Sequence, residues 1–437
     1  MAWYEAGGLL IGLIVALMAL GVPVAVAFMT TNIVGTLVFV GSVAGIVQVV
    51  DNATALITSF QLAPVPLFIL MGSLFFYTKL AVRVFDALDK LLGRVPGRLC
   101  FLTVAGGATF STMTGSSMAN TAMLGSLMVP EMQRRGYNLR MSIGPILGTG
   151  GLAMIIPPSN LGVLLASVAS IDVGRLLISG VVPGFLLAVL FTVMILLQVL
   201  FDPTAAPSYD IAPSSAGEKL AAVLLNIVPM CVVVFMVIGF IILGIATPSE
   251  AAAFGVLGVL ILAGLYRLLT WEALFKSFEA TVRVGGMVFF IIISSSVFSQ
   301  LVAYSGASAG LLEWATSFDV PATAMLLCMF AVLLLLGMFM DPVSMILISV
   351  PIFMPIVTSL HVDPVWFGLF VLIALEMSQT TPPFGLLLYI MLGVAPRGTT
   401  LFQAAGAAAP FLFCDAVLVA LLLIFPQIAL YLPSLMK

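Results

Sequence analysis

Charge is scarce in this chain, and with it most of what a water-soluble protein needs. Only 8% of the 437 residues are Asp, Glu, Lys or Arg and 62% are hydrophobic, where a soluble domain carries about a quarter charged residues. Water is therefore excluded as the main solvent. A single histidine, His361, leaves no imidazole cluster for a metal and no histidine relay. The four cysteines, Cys100, Cys231, Cys328 and Cys414, are scattered through apolar runs without a paired spacing, which argues against zinc or redox motifs and reads as small core residues. Net charge is only −3, with no basic or acidic tail, so nucleic acid has no footprint.

What is present is a succession of apolar blocks of roughly 18 to 28 residues, and about 20 such residues cross a bilayer core as helix. The first block, 6–20, is preceded by Glu5 and no basic residue, so it reads as an uncleaved helix and not a signal peptide. The prolines expose a duplication. Shifted by 225 positions, Pro23 meets Pro248, Pro96 meets Pro321, Pro130 meets Pro355, and Pro157 and Pro158 meet Pro382 and Pro383. The fold class expected is an all-α polytopic membrane protein of two repeats.

Each repeat holds five candidate crossings: 5–20, 22–46, 60–79, 141–168 and 174–201, then 220–246, 248–270, 284–304, 363–392 and 400–430. An odd number inverts the second repeat. The apolar stretches 98–129 and 323–354 are broken midway by small and polar residues and are expected to be re-entrant hairpins. With the N-terminus outside, thirteen basic residues fall on the cytoplasmic side and only Arg175 and Lys437 outside. That bias is of the kind that sets orientation, and it fails if either broken stretch is a full crossing. Residues 1–200 then form the first inverted repeat, 201–219 a cytoplasmic linker and 220–437 the second. Segment 79–94 has apolar residues at helical spacing opposite Lys79, Arg83, Asp86, Asp89, Lys90 and Arg94, an interfacial helix; its mate, 305–318, should be shorter.

In lipid, irregular backbone survives only where protein or a polar cavity covers it, so broken helices mark a site. Four breaks are paired by the repeat: 111–120, 148–159, 339–344 and 376–383. Hydroxyls and bare carbonyls there suit a hard cation such as sodium, and half-helix N-termini suit a carboxylate. Candidate cation ligands are Thr114, Gly115, Ser116, Ser117, Asn120, Gly148, Thr149 and Gly151 in one half, and Asp341, Ser344, Gln379, Thr380 and Thr381 in the other. Candidate substrate contacts are Ser117, Asn120, Pro157, Pro158, Ser159, Ser344, Pro382 and Pro383. The competing view is that small residues and serines only pack helices and that Pro-Pro only kinks them. Asp341, Glu376 and Asp415 are the carboxylates expected at membrane depth. Asp341 is weighed as a cation ligand against a helix cap, Glu376 as bonding to backbone at its own break, and Asp415 as a structural bond to a neighbouring helix.

The run 107–120, with Leu124-Gly-Ser, Pro130-Glu-Met, Ile155-Ile-Pro-Pro-Ser, Asp341-Pro and Thr380-Thr-Pro-Pro-Phe-Gly, resembles the large membrane subunit of tripartite ATP-independent periplasmic (TRAP) transporters over essentially the whole chain. The resemblance implies a scaffold domain, interfacial arm helices and an elevator transport domain that holds both hairpins. It also implies sodium-coupled import of a small organic acid across the bacterial inner membrane. The partners implied are a soluble periplasmic binding protein and a small four-helix membrane subunit, expected as a separate chain; both termini would be periplasmic. Two alternatives stand beside this one. A single-component sodium/dicarboxylate symporter would need no binding protein. A membrane-embedded hydrolase would need a base near its nucleophile, and the sequence places no His, Lys or Arg at membrane depth.

Overall fold

The computed structural model describes residues 1–436 apart from 42, 59–61, 92, 94, 209–214, 319 and 384, and apart from the side chains of 43, 44, 46, 56 and 57. Every regular element among the described residues is helical. The first half runs α1 (Trp3–Ala19), α2 (Val24–Phe39), α3 (Val43–Ile57), α4 (Pro64–Tyr77), α5 (Leu80–Leu91), α6 (Arg98–Thr114), α7 (Ser117–Arg134), α8 (Leu139–Ile155), α9 (Asn160–Ala169), α10 (Val173–Ser179) and α11 (Val181–Phe201). The second runs α12 (Ala216–Ala222), α13 (Val228–Ile242), α14 (Pro248–Leu265), α15 (Trp271–Tyr304), α16 (Ala307–Thr316), α17 (Ala322–Gly337), α18 (Pro342–Ser359), α19 (Pro364–Gln379), α20 (Leu386–Val394), α21 (Leu401–Ile424) and α22 (Gln427–Ser434).

Helix boundaries recur at the spacing of the prolines, most closely in Ser117–Arg134 against Pro342–Ser359. The caps recur with them. Ser116 caps α7 where Asp341 caps α18, and Asn138 caps α8 where Asp363 caps α19. These side-chain oxygens take up N–H groups that a helix start leaves bare. Packing partners exchange in the same way: α7 lies on α20 and α18 on α9, α2 on α15 and α4 on α14, while α8 packs on its own mate α19 and α4 on α15, the helix that contains its mate. Helices α1 to α4 and α13 to α15 form one packed group, and α6 to α11 with α17 to α22 form another.

Among the described residues six helical segments are long and apolar enough to cross a membrane, or eight if two bent pairs, Pro64–Tyr77 with Leu80–Leu91 and Leu139–Ile155 with Asn160–Ala169, each count as one. The ten uniform crossings expected from hydropathy are cut in specific places. Gly41 at φ +65° stops α2, so 22–46 is not one helix and its tail belongs to α3. The span expected at 284–304 is the end of a 34-residue helix, α15, that begins at Trp271. Thr270 caps it, and Glu272–Lys276 at 2.6 Å and Glu279–Arg283 at 2.8 Å support its polar start. The break that opens at Thr380 ends α19 short of the expected 363–392.

Helix α5 occupies 80–91 of the interfacial segment, of which 92 and 94 lie outside the described residues, and its mate α16 is shorter, 10 residues against 12. The apolar face of α5 turns to protein: Leu80, Ala81, Val84 and Phe85 are buried, and Arg83 stacks over the Tyr266 ring at 4.3 Å. Buried Arg98, at the head of α6, pairs with Asp89 of α5 at 2.9 Å. The linker is only partly a free connection. Buried Ala205 and Ala206 accept from Asn138 and Gly97 at 2.9 and 3.2 Å, tying down both ends of α6–α7, and residues 209–214 lie outside the described ones. Cys100 and Cys414 are buried as expected, whereas Cys231 and Cys328 lie on the outer surface, and all four are free.

Candidate functional site

Helix α6 ends where Gly115 takes φ +57°, a conformation that costs any other residue. Ser116 then accepts from the Ala119 N–H at 3.4 Å and starts α7, so the tip of the first hairpin is two residues long. A Cβ on Gly115 would lie 2.4 Å from the Pro158 carbonyl oxygen, and the Asn160 N–H donates to the Gly115 carbonyl at 3.4 Å. The tip is therefore seated on the break between α8 and α9, where Pro157 and Pro158 are joined by a cis bond and Ser159 caps α9 by accepting from Gly162 at 3.0 Å. Pro157, Pro158 and Ser159 are all buried.

Asn120 ties the hairpin to α8. Its amide donates to the Gly107 carbonyl at 3.3 Å, the Ser111 hydroxyl at 2.9 Å and the Thr149 carbonyl at 3.2 Å, leaving its own carbonyl oxygen and the buried Ser117 hydroxyl without a partner among the described residues. Thr114 and Thr149 donate back to Phe110 and Pro145 of their own helices at 3.0 and 2.5 Å.

The second hairpin repeats the arrangement. Asp341 accepts from the N–H groups of Val343 at 3.0 Å and Ser344 at 3.2 Å, and from the Ser344 hydroxyl, so the cap weighed against the ligand is present. A Cβ on Gly337 would lie 2.2 Å from the Ser378 Cβ, which seats this hairpin on the end of α19. Thr380 and Thr381 donate to the Met377 carbonyl at 3.2 and 2.7 Å. Gln379, Thr380 and Ser344 are buried, Thr381 and Pro382 are half-buried, and Pro383 is exposed.

All four expected breaks are narrower than the sequence suggests. Residues 148–151 remain helical within α8, 111–114 within α6, 342–344 within α18 and 376–379 within α19; the openings are at 115–116, 156–159, 338–341 and, among the described residues, 380–383 with 385. The glycines of α8 serve close packing instead of unwinding. A Cβ on Gly144 would lie 2.5 Å from the Ala407 carbonyl, on Gly148 2.7 Å from Phe411, and on Gly151 2.3 Å from Glu376 Oε1. Small residues in such a row let membrane helices approach, here α8 against α21 and α19.

Sequence reasoning missed the part Glu376 plays in this crossing. Glu376 does not bond to backbone at its break: both its oxygens lack a partner among the described residues, as does Oδ1 of Asp415. The signal available was their rarity, as carboxylates deep in an apolar chain.

A family model described as "Tripartite ATP-independent periplasmic transporter, DctM component" matches residues 11–428. The C4-dicarboxylate TRAP transporter large permease of Rhodobacter capsulatus is 30% identical, covering 98% of this chain and 99% of its own length. The ectoine TRAP transporter large permease of Halomonas elongata is 27% identical over 98% and 99%. Among solved structures, the YdaH transporter of Alcanivorax borkumensis superposes with a TM-score of 0.62 at 15% identity, over 89% of this chain and 90% of that one, a likeness of fold alone. These relatives are transporter subunits and not enzymes, and by a match that spans nearly all of its length the chain belongs to the DctM family, the large permease component of tripartite ATP-independent periplasmic transporters.

Proposed function

We propose that the chain carries a small organic acid into the bacterial cytoplasm with sodium, by an elevator movement in which α6 to α11 and α17 to α22 travel against α1 to α4 and α13 to α15. The observation that carries this reading is the contact between mates: Gly151 against Glu376 and Met154 against Gln379 lie the repeat distance apart in sequence. Mates that touch place an axis of exchange at the α8–α19 crossing, and an axis lying in the membrane plane makes the two halves inverted repeats, each hairpin entering from its own face. On this reading Thr114, Gly115, Ser116, Ser117, Asn120 and Thr149 serve a first sodium ion, and Asp341, Ser344, Thr380 and Thr381 serve a second. Ser117, Ser159 and Ser344, near half-helix N-termini, meet the substrate carboxylate.

The partners are a periplasmic binding protein that delivers the acid and a small four-helix membrane subunit on the scaffold group. Relatives named for C4-dicarboxylates and for ectoine support a small organic acid as the cargo. Reconstitution in proteoliposomes with the small subunit tests the proposal, after thermal-shift screening has identified the ligand of the binding protein. Uptake should need both an inward sodium gradient and the liganded binding protein. Uptake by the permease alone would establish the single-component symporter instead, and uptake indifferent to sodium would reject the coupling.

A further inference from the structure

We infer that Glu376, Asp415 and Gln379 form a sodium site at the crossing of α8, α19 and α21, distinct from the hairpin tips; the inference rests on the sodium-coupled reading above. Glu376 and Asp415 are each 2% exposed and Gln379 3%. Glu376 and Gln379 stand one helical turn apart on the face of α19 that meets α8, against Gly151 and Met154, and residues so spaced share a face. The Gln379 amide donates to the Met154 sulfur at 3.6 Å. Its carbonyl oxygen is left without a partner, as are both Glu376 oxygens and Asp415 Oδ1. Asp415 comes from the neighbouring α21, one helical turn beyond Phe411 on the face that packs against Gly148 of α8.

Two carboxyl groups in a dry interior persist either as neutral acids or with a compensating cation between them. Among the described residues no basic side chain is buried there: the other buried charged residue is Arg98, which pairs with Asp89. Carboxylate and amide oxygens without nitrogen or sulfur ligands are the donor set of a hard cation. Asp341, by contrast, has both oxygens engaged in capping α18, which makes Glu376 the freer negative ligand. Where the first half has Gly151, the second has this carboxylate, so the site is single and sits where the halves meet.

The test is melting of the complete detergent-purified complex with its small subunit, titrated with NaCl against KCl at constant ionic strength. Wild type should gain melting temperature with sodium, and Glu376→Gln and Asp415→Asn should each raise the half-saturating sodium on the order of tenfold or more. Gln379→Met, which keeps the volume and loses the oxygen, should shift it in the same direction and serves if Glu376→Gln fails to fold. Glu313→Gln, on the exposed face of α16, should leave it unchanged. Unshifted half-saturation in Glu376→Gln and Gln379→Met, an equal response to KCl, or saturation by CaCl2 with no sodium response would overturn the site. Absence of both sodium-dependent melting and sodium-driven uptake in wild type would instead reject the sodium-coupled function itself.

Discussion

The Gly115→Ala substitution probes the seat of the first hairpin. At φ +57° an alanine costs about 1–2 kcal/mol of backbone strain. The new Cβ also meets the Pro158 carbonyl oxygen at 2.4 Å, where ordinary contact begins at 3.4 Å. Backbone faces backbone there, so no side chain can swing aside, and the tip must lift from the break by about 1 Å to restore that contact. Displacement of that size at a site of convergent ligands reduces turnover on the order of a hundredfold. Uptake in proteoliposomes and melting in detergent read the two effects separately. Gly115→Ala should lose most of its uptake and melt lower. Gly286→Ala, in α15 with no atom within 4 Å of the added methyl, should transport normally and gain up to about 1 kcal/mol of helix propensity. Wild-type uptake and melting in Gly115→Ala would refute the seating of the tip on the break.

Other substitutions separate capping from ligation. Asp341→Asn should keep the melting temperature, since asparagine caps as well as aspartate, and should abolish sodium-dependent uptake; unchanged uptake would reduce Asp341 to a cap. Asp341→Ala should lose the uptake and also about 1 kcal/mol of stability. The Ser117 hydroxyl has no partner among the described residues, so Ser117→Ala should leave melting unchanged and raise the sodium concentration for half-maximal uptake. Arg98→Met should loosen α5 from α6, lowering the melting temperature by the loss of a charge-assisted bond of about 1.5–3 kcal/mol; unaltered melting would show that the pair with Asp89 contributes nothing.

Much of this architecture is legible in the sequence because proline and glycine punctuate it. The prolines at 130, 157 and 158 and their mates fix the repeat, and Asn138 and Asp363 announce the starts of α8 and α19. Helix α3 is illegible for a physical reason. Its composition is too polar for a span, with Gln48, Asp51, Asn52 and Thr54, and too apolar for a loop, so hydropathy gives its start to the preceding crossing and leaves 47–57 unassigned. The polar start of α15 is hidden in the same way until its Glu–Lys and Glu–Arg pairs are seen four residues apart. The glycines of α8 look like an unwound segment in sequence, but whether a glycine opens a helix or lets another approach depends on what packs against it. Glu376 and Asp415 lie on different helices, and only the fold brings them to one crossing.

The account depends on two hairpins that enter from opposite faces of the membrane. The direct measurement replaces the four native cysteines and introduces Val95→Cys or Arg134→Cys at the ends of the first hairpin, and Val320→Cys or His361→Cys at the ends of the second. Each variant is then labelled with a membrane-impermeant maleimide in right-side-out and inverted vesicles. Both first-hairpin positions should label only from the cytoplasmic side and both second-hairpin positions only from the periplasmic side. Labelling of the two ends of either hairpin from opposite sides would make that hairpin a full crossing and contradict the account.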